Sequence, residues 1–140
     1  MLKKVQVWLR VFRSDEARVL LLRTGEDRKF IWQPVTGGVE RSESFEDAAL
    51  RETREETGLR FKATQLRDLE LEFEFEGRWG MAKERVFLLD VEVKKLARVE
   101  LDFSEHTFAA WASVPEALQL LPFATQKKAV RRVLDFPRRS

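Results

Sequence analysis

Hydrophobic and polar residues alternate along several stretches of this chain with the period of a β-strand. Every second residue is hydrophobic from Val5 to Val11, and a similar run, RVLLLR, follows a polar turn at residues 13–16. Because the connection is short, these two strands are predicted to form an antiparallel hairpin. A second hairpin is predicted from the run DLELEFEFEG, the turn GRWG and the run ERVFLLDVEV. Its alternating glutamates are expected to form a solvated face: Glu70, Glu72, Glu74 and Glu76.

Helices are predicted between the hairpins and after them. Ser44 is a typical N-cap and Gly58 a typical helix end, so a helix is predicted between them. A strand near residues 108–112 precedes Pro115, which favours the start of a short helix, and Thr125 is expected to cap a last helix. Helices packed on a central sheet predict an α/β fold of the α+β type, with strands mostly antiparallel.

Composition limits the class of protein. The chain has 140 residues, 44% hydrophobic and 36% charged, so we expect a single domain over residues 1–140. The absence of cysteine excludes disulfides and thiolate metal sites and favours a cytoplasmic protein. The longest aliphatic run, VLLL, is too short for a membrane span. A net charge of +2 makes nucleic acid an unlikely partner, and the basic carboxyl end is interpreted as a solvated helix face.

The segment before Gly58 is unusually acidic. Glu52, Glu55 and Glu56 are three and four residues apart, so they project from one helix face, where like charges four apart cost about 0.2–0.5 kcal/mol per pair. Their carboxylates could converge on one or two hard cations at an exposed site. The alternative is a solvated helix stabilised by arginine–glutamate pairs such as Arg51 with Glu55.

The spacing around these glutamates forms a longer motif. Gly37 is followed by five residues and Glu43, then by seven residues and the segment RETREETGL, which ends at Leu59. This pattern resembles the Nudix box over residues 37–59, and Thr53 is the one departure, at a position that is usually aliphatic. The resemblance implies a Nudix-type α/β/α sandwich with a mixed central sheet and the hydrolysis of a nucleoside diphosphate joined to another group.

The resemblance also implies a metal site for Mg²⁺ or Mn²⁺, which prefer oxygen ligands. Arg51 would orient the carboxylates, and the general base would be Glu52 or a glutamate outside the box. Glu105, in a loop before a predicted strand, is the candidate outside the box, as an additional ligand or the base. The implied metal ligands are Gly37, Glu52, Glu55, Glu56 and Glu105.

Two further stretches, IWQPVTGGVE and SEHTFAAWASVPEAL, are similar to those of bacterial Nudix enzymes that hydrolyse dATP and dihydroneopterin triphosphate. The expected partner is therefore a nucleotide or pterin triphosphate. Phe30, Phe108 and Trp79 could stack on its ring, after Trp32 as first choice. The candidate substrate contacts are Arg23, Lys29, Trp32, Lys83 and Arg85.

Three alternatives to this substrate class stay open. The basic carboxyl end favours an RNA 5′-pyrophosphohydrolase, whose partner would be a 5′-triphosphate RNA end. A dinucleoside polyphosphate hydrolase would use the same site, although the chain has no tyrosine of the kind found downstream of the box in those enzymes. A non-catalytic Nudix module that binds a nucleotide or a protein would not need the full set of glutamates.

Overall fold

The computed structural model describes residues 1–94 and 106–138, and only the backbone of residues 106 and 107. Both predicted hairpins and all the predicted helices are present in it. The elements are β1 (Leu2–Arg13), β2 (Glu16–Thr24), β3 (Trp32–Gln33), β4 (Val35–Gly38), α1 (Phe45–Thr57), β5 (Arg67–Gly77), β6 (Gly80–Asp90), β7 (His106–Ser113), α2 (Val114–Leu120) and α3 (Ala124–Asp135).

The strands form one mixed sheet. Its main order is β3-β2-β1-β6-β5, with β7 paired to β2. β1 runs parallel to β6, whereas its other pairings are antiparallel. Along the edge opposite β6, β1 pairs first with β4, at residues 4–7, and then with β2, at residues 10–13. The short β4 is therefore aligned with the amino-terminal half of β1.

Helices cover both faces of the sheet, which gives the α/β/α sandwich that the resemblance implied. On one face α1 packs on Val5, Val7 and Leu9 of β1. On the other face α2 and α3 pack on a cluster that includes Trp8 and Leu88. Because both faces are covered, successive residues of β1 are all buried from residue 5 to residue 11.

Some predicted details differ from the structure. Thr125 does not cap the last helix, because α3 begins at Ala124 with Phe123 at the N-cap position, and Thr125 lies inside the first turn. The run that was predicted to continue to Val93 leaves the sheet after Asp90. The four alternating glutamates of β5 are exposed, as predicted. One of them, Glu70, has a φ of 57° where the register of β5 against β6 shifts.

A buried arginine joins the carboxyl end of α3 to the sheet. The Arg10 side chain is 0% exposed and its Nε donates to Asp90 Oδ1 at 2.7 Å. Its Nη1 donates to the carbonyl oxygens of Val133 and Phe136, both at 2.8 Å. The Phe136 N–H also donates to the Val133 carbonyl at 3.3 Å, and Arg10 adds donors to both carbonyls at the helix end.

Candidate active site

The loop from β4 and helix α1 position the acidic residues. Ser44 Oγ accepts the Asp47 N–H at 3.0 Å and starts the helix. Gly58 ends it with a φ of 78°, which favours glycine. Thr53, the departure from the usual motif, is fully buried, and its hydroxyl donates to the Ala49 carbonyl at 2.8 Å. Threonine is tolerated there because its polar group bonds within the helix.

Arg51 is the centre of the acidic cluster. Its Nε and Nη2 donate to the two carboxylate oxygens of Glu43 at 2.8 and 2.9 Å. Its Nη1 donates to Glu52 Oε1 at 2.8 Å and to Glu55 Oε2 at 3.1 Å. Nη2 also donates to the Gly38 carbonyl at 2.8 Å, which ties α1 to the end of β4. A planar guanidinium with five donors suits this position, and the amine of lysine does not.

Gly37 lies directly against Glu52. A Cβ added to Gly37 would stand 2.1 Å from Glu52 Cδ and 2.5 Å from its Cγ. A side chain at position 37 would therefore occupy the space of the glutamate. At Gly38, by contrast, an added Cβ would meet no atom within 4 Å. The first glycine of the pair is required by this close approach.

The acids of the cluster differ in their electrostatic surroundings. The Arg51 guanidinium holds the pKa of Glu43 below its ordinary value, and Glu43 in turn raises the pKa of Arg51. Burial raises the pKa of Glu52; the charge of Glu55 acts in the same direction, and the bond to Arg51 opposes it. Glu43 and Arg51 thus favour each other's charged form, whereas burial disfavours the charged form of Glu52.

The structure corrects the expectation that Glu56 lies at an exposed site. Glu56 is 1% exposed, whereas the side chain of Glu55, one residue earlier, is 50% exposed. Glu56 lies close enough to Glu52 to lower the pKa of that carboxyl, against the effect of burial. Burial on the inner side of α1 places Glu56 under the helix rather than at its surface.

The donors of this cluster fit a hard divalent cation. They are carboxylate oxygens and a backbone carbonyl, which Mg²⁺ and Mn²⁺ prefer. Within residues 1–94 and 106–138, no three acidic or histidine side chains already enclose a metal position. Arg51 Nη1 instead bridges Glu52 and Glu55.

Some of the substrate candidates come together on the face covered by α2 and α3. Arg23 is the cross-strand neighbour of Trp32 on one side and of Phe108 on the other. Its guanidinium lies 5.1 Å from the ring centre of Phe30 and 5.8 Å from that of Phe108. Phe30 and Phe108 are 46% and 60% exposed. We call Arg23, Phe30, Trp32 and Phe108 the aromatic cluster.

The other candidates lie elsewhere. Lys83 and Arg85 point to the α1 face, where each approaches Glu72 and Arg85 stacks 4.6 Å from the Phe45 ring centre. Lys29 is exposed in the turn before Phe30, with a φ of 64°. Trp79 lies at the tip of the β5–β6 hairpin and is 78% exposed. Glu105 lies outside the described residues.

Glu84 is a buried polar group that was not predicted from the sequence. Glu84 of β6 is 6% exposed and faces α2 and α3. Gln6 Nε2 donates to its Oε1 at 3.1 Å, and Trp8 Nε1 donates to Gln6 Oε1 at 2.6 Å. The signal was available, because Glu84 occupies the same alternation as Val86 and Leu88, which are core positions.

Comparison with known families decides what this arrangement is. The model of the NUDIX domain matches residues 2–134. The chain belongs to the Nudix family. The arginine–glutamate pairing that the alternative interpretation of the acidic helix expected is also present, since Arg51 contacts Glu55. In this Nudix helix the pair is part of the box rather than an alternative to it.

Several named proteins are similar to this Nudix chain. It is 39% identical over 122 residues to an octanoyltransferase of Myxococcus xanthus, covering 86% of this chain but only 33% of that relative. It is 30% identical to the dihydroneopterin triphosphate diphosphatase of Escherichia coli (strain K12), over 93% of this chain and 91% of that relative. It is 35% identical to the asymmetrical bis(5′-nucleosyl)-tetraphosphatase of Mus musculus, over 83% and 78% of the two chains.

A solved structure confirms the fold of the Nudix chain. The Ap4A hydrolase of C. elegans superposes with a TM-score of 0.81 over 96% of both chains, at 21% identity. Together with the hydrolase names of the full-length relatives, the family identifies the chain as a Nudix hydrolase. Members of this family generally use a divalent metal. Among the described helices, none is long and apolar enough to cross a membrane.

Proposed function

We propose that this Nudix hydrolase is a Mg²⁺-dependent pyrophosphohydrolase for a nucleoside triphosphate-like substrate, of the dATP or dihydroneopterin triphosphate type. The hydrogen bonds of Arg51 support this proposal most. They join Glu43, Glu52, Glu55 and the Gly38 carbonyl in one contact network. A protein that only bound a partner would gain nothing from three acids held around one arginine beside an obligatory glycine.

The proposed reaction adds water across one anhydride bond. The bond between the α- and β-phosphates breaks, one phosphorus gains the oxygen of water, and the products are the monophosphate and pyrophosphate. The proton lost by water passes to a carboxylate, for which Glu52 and Glu105 are the candidates. Glu52, Glu55, Glu56 and the Gly37 carbonyl would hold Mg²⁺, which when bound neutralises phosphate charge and acidifies water.

The rest of the chain would bind and orient the substrate. Arg51 braces the glutamates, and Glu43 keeps its guanidinium in place through two bonds. The aromatic cluster offers exposed rings for stacking, and Arg23 lies between Phe30 and Phe108 as a cation next to both faces. Lys83 and Arg85 would have to exchange their contacts with Glu72 for contacts with the substrate.

The test is a panel of dATP, other triphosphates, dihydroneopterin triphosphate, diadenosine tetraphosphate and 5′-triphosphorylated RNA, with products identified at several Mg²⁺ concentrations. We expect pyrophosphate and a monophosphate from a triphosphate, with turnover that needs the metal. Glu56→Gln should lose nearly all turnover and still fold, whereas Glu46→Gln, on the exposed side of α1, should match the wild type. If no compound is hydrolysed, the proposal is wrong.

A second candidate follows from the relative of Mus musculus, whose name states an asymmetrical tetraphosphatase. Hydrolysis of diadenosine tetraphosphate to ATP and AMP at a higher kcat/KM than any triphosphate would favour it.

The role of Glu105 has a separate test. Glu105→Ala should lower turnover by about 100- to 10,000-fold if Glu105 is the base, and excess Mg²⁺ should restore activity if it is a ligand.

A further inference from the structure

The buried carboxylate Glu84 has an oxygen that its neighbours leave unused. Gln6 is its hydrogen-bond donor among the described residues, and that bond goes to Oε1. Lys4 contributes a favourable charge but no hydrogen bond. A carboxylate oxygen can accept more than one hydrogen bond. Among the described residues none donates to Glu84 Oε2, and this oxygen is not one of the enclosed unpaired atoms, so it is open to a donor from a ligand.

Trp8 determines how Gln6 is oriented. An indole N–H can only donate, so the Gln6 atom 2.6 Å from Trp8 Nε1 must be the amide oxygen. The amide nitrogen of Gln6 must then face Glu84, and it holds the carboxylate in one position. Gln6 and Trp8 are both 0% exposed, so this orientation is enclosed by packing. We call Gln6, Trp8 and Glu84 the polar triad.

The polar triad lies within reach of the Nudix box. Lys4 is the cross-strand neighbour of Gly38 on one side and of Glu84 on the other. Gly38 and Glu84 are thus separated by two strand spacings, about 10 Å, and Arg51 bonds the Gly38 carbonyl. This separation is comparable to the length of a nucleoside monophosphate. A substrate whose phosphates lie at the box could therefore place its ring at Glu84.

A second acceptor on the same side of the sheet also lacks a donor. Gln126 of α3 is 6% exposed, and its Oε1 has no hydrogen-bond partner in the described part of the chain. Acceptors without donors favour a ligand rich in N–H groups. A 2-amino-4-oxopyrimidine ring, as in pterin and guanine, carries an N–H beside an amino group, whereas adenine offers an amino group beside an acceptor nitrogen.

We propose that Glu84, positioned by Gln6 and Trp8, recognises the donor edge of a 2-amino-4-oxopyrimidine ring, so that the preferred triphosphate is a pterin or guanine derivative rather than an adenine one. Oε2 accepts the ring N–H, and Oε1, which has a second lone pair, accepts from the amino group. The inference rests on the proposed function, since it names the ring of the substrate whose phosphates lie at the box.

The wild-type enzyme gives the first test, by kcat/KM for dihydroneopterin triphosphate, dGTP and dATP. The kcat/KM values for dihydroneopterin triphosphate and dGTP should both exceed that for dATP by about 10- to 100-fold, the usual effect of a paired hydrogen bond. The compound with the higher value identifies the preferred ring. If dATP is equal or better, the inference is wrong and the proposed function stands. If none of the three compounds is hydrolysed, the proposed function fails. Affinities measured by calorimetry that follow the same order of the three compounds would then still support recognition of the ring by Glu84.

Glu84→Gln gives the second test. The amide oxygen can still accept from Gln6, which places an amino group where Oε2 was, so a donor faces the donors of the ring. We expect kcat/KM for dihydroneopterin triphosphate and dGTP to fall by about 10- to 100-fold and that for dATP to change by less than about twofold. An equal loss for all three, or no loss, would overturn the inference. Glu74→Gln, on the exposed side of β5, is the matched control. If Glu84→Gln does not fold, the order of kcat/KM for the three compounds in the wild type decides whether the inference holds.

Discussion

Gly37 and Glu52 share a space that a single carbon atom would fill, because a Cβ on Gly37 would stand 2.1 Å from Glu52 Cδ. We therefore expect Gly37→Ala to displace the Glu52 carboxylate and lower kcat/KM by about 100-fold, the effect of a displacement of about 1 Å in an active site. Thermal unfolding should change little, since a side chain can move at a cost of about 1 kcal/mol. Gly38→Ala is the control, because its Cβ meets no atom within 4 Å. Equal activity in the two variants would contradict the assignment.

Arg51→Lys tests the arginine at the centre of the cluster. Lysine keeps the charge but cannot bond Glu43 with two parallel donors and still contact Glu52. We expect kcat/KM to fall by about 10- to 100-fold, as for other residues that orient metal ligands. Arg54→Lys, one turn along on the exposed side of α1, should have wild-type activity. Steady-state kinetics at saturating Mg²⁺ compares the two, and a wild-type rate for Arg51→Lys would rule out the orienting role.

Arg10 is expected to contribute to stability and not to catalysis. Arg10→Met leaves Asp90 with one ion-pair partner, Arg67, and removes the donors to the last carbonyls of α3. We expect a loss of about 3 kcal/mol in the free energy of unfolding, measured by urea denaturation. The exposed Arg13→Met should leave stability unchanged. Loss of activity in folded Arg10→Met would show that the carboxyl end acts on the site.

Glu84 should make stability depend on pH. Burial raises its pKa above the ordinary value of 4.5, against the opposing effects of Lys4 and Gln6. At a pH well below the ordinary value of 4.5 the carboxyl is protonated in the folded and unfolded chain alike. As the pH rises, the unfolded chain ionises first, so the wild type loses stability relative to Glu84→Gln until the folded carboxyl has also ionised. Urea denaturation from about pH 4 to about pH 8 measures this difference, and a difference that does not grow with pH would show that burial is not the cause.

The residues of the Nudix box could be predicted from the sequence because they lie in one loop and one helix. The spacing of Arg51, Glu52 and Glu55 requires only the geometry of a helix turn, and Ser44 and Gly58 mark the ends of that helix by local chemistry. The polar triad could not be predicted in this way. Gln6 and Glu84 are 78 residues apart in sequence, and only the parallel pairing of β1 with β6 brings them together.

The sequence by itself determined where most strands and helices lie, since hydrophobic periodicity and helix caps are local properties of the chain. The tertiary structure decided which faces are covered. It buried Glu56 and Arg10, and it placed Arg23 and Trp32 on one face but Lys83 and Arg85 on the other. The physical reason is that alternation along a strand assigns side chains to the two faces of the sheet but does not determine which helices or loops cover each face. In a sandwich both sets are covered, so a polar residue in either can become part of a buried site.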